Sequence, residues 1–351
     1  MRVIYYATSP RPDAHAGGVK VIYDHCNALN DMGIPAAILH ERRGHLYRWA
    51  RRPAPTIAAK DLRATDHLVL PEIKAASLAR MLVKAGMPYS IFVQNGYYLS
   101  ERCRHTSDSD ICFAYQNASA ILSISSDTSD LLALHYPSLA DRIVNVQCSI
   151  HADTFATGRG KRNVITFMPR KNGRHAAAVL FALKQRLPAG WDTIAIDGMN
   201  ETQVAEALQM SRIFMSFSDL EGLGLPPIEA ALCGNYVIGY HGGGGREYWR
   251  APNFEPVDTG DIGSFARRVL ARVDQLEKTP ADSIGELLPG IDVLRARYSP
   301  ANEQAGLRRF VSAIGATSAP TQQGSTAQLD SLSKLQRRAK LRWWLGATVA
   351  G

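Results

Sequence analysis

The chain has 351 residues, a formal charge of +8, 46% hydrophobic residues and 21% charged ones. That length exceeds one ordinary core and suits two domains of roughly 150 residues each. No apolar run approaches the roughly 18–20 residues that cross a bilayer, and the five cysteines form no Cys-x-x-Cys pair, which argues against a disulfide framework and a zinc knuckle and for a reducing compartment.

The basic balance fits an anionic ligand, an anionic membrane face or nucleic acid. Basic residues are scattered through the body and RNA-binding fingerprints are absent, so nucleic acid is not expected as a partner. The apolar piece at the N-terminus is too short for a secretory signal and reads as a first strand.

In chain order, Arg2–Ala7 reads as a buried strand. Gly17 and Gly18 follow a polar loop and open an amphipathic stretch from Val19 to Met32, with Val21, Ile22, Cys26 and Leu29 on one face. Gly33 stops that helix. Strands are expected at Ala36–Leu39, His67–Leu70, Tyr89–Gln94, Ala120–Ser123 and Arg142–Val146, and helices at Ala75–Ala85 and Asp127–His135. A polar join, His151–Arg162, separates this half from a second with the same rhythm. There the strands are Asn163–Met168, Thr193–Ile196, Ile213–Phe217 and Tyr236–Gly239. The helices are His175–Leu187, Glu201–Met210, Pro227–Cys233 and Ile262–Leu276. Alternation of this kind predicts an α/β protein with two doubly wound parallel sheets, whose ligands lie beyond the carboxyl ends of the strands.

The stretch Ala316–Gln328 is rich in Ser, Thr, Gln, Pro and Gly and reads as a flexible linker. Beyond it, Lys334, Arg337, Arg338, Lys340 and Arg342 flank Trp343 and Trp344. Such a tail suits a short helix on an anionic membrane surface, or one docked on the protein.

Glu221 and Glu229 have seven residues between them. The first is expected in a Gly-rich loop, the second in the first turns of a helix that Pro226 and Pro227 start. An acid beside a helix N-terminus suits a charged, hydroxyl-rich ligand. His241-Gly-Gly-Gly-Gly245 resembles an esterase oxyanion loop, but no Gly-x-Ser-x-Gly elbow accompanies it. It reads instead as a flexible loop after a strand. Asp13, His15 and Asp24 match no metal-ligand spacing and read as a surface loop.

The run from Glu221 through Gly222, Leu223, Gly224, Leu225, Pro226, Pro227 and Ile228 to Glu229 resembles the Glu-x7-Glu element of retaining glycosyltransferases of the GT-B fold, family 4 type, the glycosyl transferases group 1. The Gly17-Gly18 pair resembles that family's N-terminal Gly-Gly loop. The likeness is strong in the second half and weak between Arg42 and Arg104. It implies the GT-B fold, with two Rossmann-like domains facing a cleft: an acceptor-side domain at 1–155, a nucleotide-sugar domain at 160–298, a crossover helix at 299–315 returning to the first domain, and the linker and tail at 316–351.

The resemblance also implies chemistry. Glu229 would accept hydrogen bonds from ribose hydroxyls, with Glu221 beside the donor sugar. The backbone of Gly222, Leu223, Gly224 and Leu225, together with Gly17 and Gly18, would meet donor oxygens. Arg170 and Lys171, with Arg174 as substitute, would meet the leaving diphosphate. Where many relatives carry a sugar-contacting His, this chain has Gln94-Asn95-Gly96, so Gln94 is the polar contact expected there. The expected activity is retaining transfer of a sugar from a nucleoside diphosphate to an acceptor hydroxyl of a glycan, lipid or small molecule, without metal or cofactor. A cytoplasmic location with peripheral membrane contact is expected. The rival readings are a non-hydrolysing nucleotide-sugar epimerase and a catalytically silent sugar-nucleotide-binding subunit.

Overall fold

The computed structural model describes residues 1–10, 16–101, 107–158, 160–278 and 284–317. The expectations for Asp13, His15, the linker from position 318 and the basic tail lie outside those residues. The chain divides into two compact units: Met1–Cys148 together with the residues from Glu303, and Ser149–Asn302.

Unit 1 runs β1 (Arg2–Ala7), α1 (Gly17–Asp31), β2 (Ala36–His40), β3 (Thr56–Ile57), β4 (Asp66–Pro71), α2 (Glu72–Lys84), β5 (Tyr89–Val93), α3 (Tyr98–Glu101), α4 (Asp108–Gln116), β6 (Ile121–Ser123), α5 (Ser126–His135) and β7 (Ile143–Asn145). Its seven strands are all parallel, in the order β3-β2-β1-β4-β5-β6-β7. Unit 2 runs β8 (Val164–Phe167), α6 (Gly173–Leu183), β9 (Asp192–Ala195), α7 (Glu201–Met210), β10 (Ile213–Glu221), α8 (Leu225–Leu232), β11 (Tyr236–Gly243), β12 (Phe254–Pro256), α9 (Ile262–Glu277) and α10 (Leu288–Arg297). Its five strands, also parallel, follow the order β12-β11-β10-β8-β9. This is the α/β architecture of the GT-B class. Helices cover both faces of such sheets, so the inner strands are buried on both faces rather than alternating. Every residue of β2, β4, β5 and β8 is buried.

A last helix, α11 (Pro300–Thr317), starts in unit 2, and from Glu303 onward it packs in unit 1. Arg309 donates to the Asn145 carbonyl at 3.1 Å. Gly306 lies against Val146, where a Cβ would come within 3.2 Å of backbone.

Two sequence expectations need correction. β10 does not stop at Phe217 but continues to Glu221, and β11 continues from Gly239 to Gly243. The two strands keep pairing past an irregularity between Ser218 and Glu221, where Leu220 takes a φ of +46°. The His241–Gly245 run is therefore no flexible loop. Its first three residues are strand, and Gly244 and Gly245 are buried in a 3-10 turn.

Candidate functional site

In unit 2 the chain lays β9 on one side of β8 and β10 on the other. The winding therefore reverses between β8 and β10, and a doubly wound sheet opens a ligand crevice beyond the carboxyl ends of such a strand pair. β8 leads into a turn closed by the Lys171 N–H on the Met168 carbonyl at 3.2 Å. Asn172 follows with a φ of +47° and caps α6, a left-handed conformation that Asn tolerates better than most residues. Its Nδ2 donates to the Phe217 carbonyl at 3.2 Å. The turn after β8 is thus tied to β10, and Lys171 is delivered to the end of that strand.

There Lys171 Nζ meets Glu221 Oε1 in a close ion pair. The side chains keep 31% and 21% of their exposure, so water and ligand still reach both. Arg170 and Arg174, on the same turn and the first turn of α6, are exposed.

Gly224, with a φ of +79°, precedes α8. No side chain caps this helix and no acid stands in its first turn, so Glu221 and Glu229 are not a capping pair. Pro226 and Pro227 carry no N–H, which leaves Gly224 and Leu225 among the few donors at this helix start.

The hydroxyl of Tyr248 orients them. It donates to the Gly224 carbonyl at 2.7 Å and is shared with the Leu223 carbonyl at 3.1 Å. A trans peptide sets its N–H opposite its C=O. With both carbonyls turned to Tyr248, the N–H groups of Gly224 and Leu225 face the other way. Burial pushes the Tyr248 hydroxyl well above its ordinary pKa, and the carboxylates of Glu221, Glu247 and Glu229 push it further. Three acids thus surround one neutral phenol. Gly244 permits the close approach of this layer, since a Cβ there would lie 2.1 Å from the Gly222 carbonyl oxygen.

Glu247 is held differently. Its side chain is 3% exposed and accepts from Arg297 at 3.0 Å and from the Tyr298 hydroxyl at 2.8 Å. It braces the wall of the site from within.

In unit 1, Gly17 and Gly18 open α1. The order β2-β1-β4 puts the reversal of winding at β1 and β4, and α1 starts in the segment that follows β1. Gln94 Nε2 donates to the Gly18 carbonyl at 3.1 Å, and a Cβ on Gly18 would collide with Gln94 Oε1 at 2.3 Å. The structure therefore joins Gly18 to Gln94 in unit 1, and Lys171 to Glu221 in unit 2. Around Tyr248, unit 2 also gathers Glu221, Glu229 and the Leu223–Gly224 backbone.

Tyr248, Asn172, Arg297 and Tyr298 were not foreseen. Asn172 before Gly173 carried a signal, a left-handed helix cap. Tyr248 carried none, because its bonds run to backbone carbonyls. Among the described residues, no group of three or more His, Cys, Asp or Glu side chains is placed to hold a metal ion, and no helix is long and apolar enough to cross a membrane.

Residues 176–272 match the family model of glycosyl transferases group 1. Among solved structures, Anabaena HepE in complex with UDP and glucose is similar, with a TM-score of 0.66 at 14% identity, over 89% of this chain and 100% of that one. Sucrose-phosphate synthase from Thermosynechococcus elongatus gives 0.65 at 11% identity, over 90% and 100%. A TarM mutant from S. aureus, in complex with fondaparinux, alpha-GlcNAc-glycerol and UDP, gives 0.66 at 8% identity, over 90% and 100%. At such identities the likeness is one of fold. No curated protein matches the sequence.

Proposed function

We propose that this chain, whose residues 176–272 match the family model of glycosyl transferases group 1, is an enzyme that moves a sugar from a nucleoside diphosphate to an acceptor hydroxyl with retention at the anomeric carbon. The observation that carries the reading is the Lys171–Glu221 pair at the β8/β10 reversal, with Glu229 on the helix that follows. Glu229 accepts two hydrogen bonds from the ribose diol, each charge-assisted bond contributing roughly 1.5–3 kcal/mol. The amides of Gly224 and Leu225, with the backbone of Gly222 and Leu223 framing them, meet donor oxygens. Gly17, Gly18 and Gln94 present backbone and amide groups of unit 1 to donor or acceptor oxygens.

As the glycosidic bond breaks, negative charge grows on the departing diphosphate. Lys171 leaves Glu221 to meet it, and Arg170, with Arg174 as substitute, adds a second cation. Glu221 then faces the sugar, where positive charge develops on the ring. No side chain is assigned as nucleophile. The departing phosphate oxygen takes the acceptor proton, so positioning and charge stabilisation supply the rate. In this reading no metal or cofactor is resident.

HepE and the TarM mutant were each solved with UDP, which makes UDP-sugars the first donors to try. The test is release of nucleoside diphosphate from a panel of nucleotide sugars, with EDTA present and with the configuration of the product read by NMR. Metal-independent release into an axially retained product supports the reading. Inversion at the anomeric carbon, or 2-epimerised sugar with no transfer, refutes it. Liposome flotation with and without residues 331–351 tests the membrane role proposed for the tail, and equal binding by both forms ends it.

A further inference from the structure

Five arginines, Arg42, Arg43, Arg48, Arg51 and Arg52, fall in the segment that follows β2. Glu41 pairs with Lys74 at 3.0 Å, and Asp31 pairs with Arg52, the last of the five, at 2.6 Å. The segment is not loose. Tyr47 is buried, its hydroxyl donates to the Ala16 carbonyl at 2.8 Å, and its ring packs 5.4 Å from Tyr23. The Arg42 N–H donates to Ser9 Oγ at 2.9 Å, and His45 packs edge-on to His40 at 4.6 Å.

On this frame a cavity of about 320 Å³ is lined by Arg42, Arg43, Gly44, His45, Leu46 and Arg48. That volume lies in the range of small-molecule sites. Among the described residues its lining holds three arginines and a histidine and no carboxylate. Like charges gathered in a concavity repel one another and concentrate anions there. Planar guanidinium forks match oxyanion geometry bidentately. His45 Nε2 is buried and makes no hydrogen bond among the described residues. Leu46 stands 67% exposed in the lining, an apolar edge beside the cations.

We propose that this cavity binds a phosphate group. Phosphate chemistry reaches such a cavity from two sources, a soluble phosphate ester or a lipid headgroup, and the exposed Leu46 suits either an ester with a short apolar arm or an acyl-linked one.

The experiment uses the full chain and the double variant R43E/R48E, whose two altered side chains are both exposed and so spare the core. One arm measures glycerol 3-phosphate binding by calorimetry at low salt. The other measures co-sedimentation with phosphatidylcholine vesicles with and without phosphatidylglycerol. UDP affinity is measured on the same samples. The expected result is binding in one arm that weakens with salt and falls at least about tenfold in the variant, two charge-assisted contacts being lost, with UDP affinity unchanged. Wild type that binds neither probe, or a variant that binds as tightly as wild type, overturns the proposal. Binding of single-stranded RNA alone also overturns it. Phosphate binding with no nucleotide sugar of the panel turned over upholds the cavity while failing the transferase reading.

Discussion

Replacing Tyr248 by Phe removes one hydroxyl and keeps the ring, which stays packed against Trp249 and Phe254. The Gly224 and Leu223 carbonyls lose their shared donor. Tyr248 is 5% exposed and Leu223 3%, so water replaces the hydroxyl poorly. Leaving a buried acceptor unmet costs about 1–3 kcal/mol. Unit 2 spans Ser149–Asn302, and for domains of about that length each kcal/mol lowers Tm by roughly 2–4 °C. The expected loss is therefore about 2–12 °C in the transition that UDP shifts upward. A second effect falls on the ligand. With the carbonyls released, the Gly224 and Leu225 amides lose their fixed aim, and UDP affinity should fall about tenfold, the weight of one charge-assisted bond. Thermal unfolding with and without UDP reads both effects, and calorimetry confirms the second. Tyr298→Phe serves as control. It removes a donor from Glu247 but leaves Arg297 on that carboxylate, so it should lower Tm and leave UDP affinity in place. A Tyr248→Phe protein with wild-type Tm and wild-type affinity would refute the account of how this loop is aimed.

Glu229→Gln should weaken UDP binding by about tenfold or more, since it removes the charge from the proposed ribose contact; equal affinity in a calorimetric titration removes that assignment. Glu221→Gln frees Lys171 from its partner, so UDP should bind at least as tightly while turnover drops by about a hundredfold; unchanged turnover would place the sugar elsewhere. Lys171→Met with Arg170→Ala should cut turnover by about a hundredfold or more, and near-normal rates would mean that other cations meet the diphosphate. Acid should destabilise unit 1 before its carboxylates titrate. Burial pushes His25 down to about 3, with Glu303 Oε1 3.5 Å away, and His40 and His67 each down to about 4. The unfolded chain takes these three protons near pH 6.5, so between about pH 6 and about pH 4.5 it binds about three more protons than the folded one. The stability held by the three neutral rings, complete above about pH 6.5, should be lost as pH falls, by up to about 4 kcal/mol per pH unit. Urea unfolding across that range checks it, and a flat profile down to about pH 5 would contradict it.

What the sequence disclosed follows from where free energy is concentrated. The inner strands declared themselves by apolar runs buried on both faces, as in Val3–Ala7 of β1, Leu68–Leu70 of β4 and Ile213–Met215 of β10. The elements it hid are short or at the margins. β3 is two residues long, pairs among the described residues with β2 alone, and is preceded by Pro53 and Pro55. α10 was not among the expected helices; its Pro289 stands in the helix's first turn, where the missing N–H costs nothing. α4 announces itself by its cap, since Ser107 Oγ accepts from the Asp110 N–H, but not by a strong apolar face.

The site was legible in the same uneven way. Glu221 and Glu229 stand out through the resemblance of their run to the Glu-x7-Glu element, and Lys171 through its place just beyond β8. Tyr248, which aims the loop before α8, was silent, because it acts on backbone carbonyls and any polar residue of the right reach would look the same in sequence. The error about the His241–Gly245 run has a like cause. Glycines permit turns, but they equally permit a strand to lie closer to its neighbour than any side chain would allow, and only the Gly222 carbonyl pressed against Gly244 distinguishes the two. That closeness has a consequence for the chemistry. A strand pair extended to Glu221 and Gly243 fixes the acid on a paired backbone rather than a mobile one. Lys171 is fixed only through its turn and one side-chain bond from Asn172. Of the two members of the ion pair, the lysine therefore has the freedom to move. In the proposed reaction an arriving diphosphate would draw Lys171 across while Glu221 keeps its place, and the negative charge beside the sugar would persist through the step in which the ring turns positive.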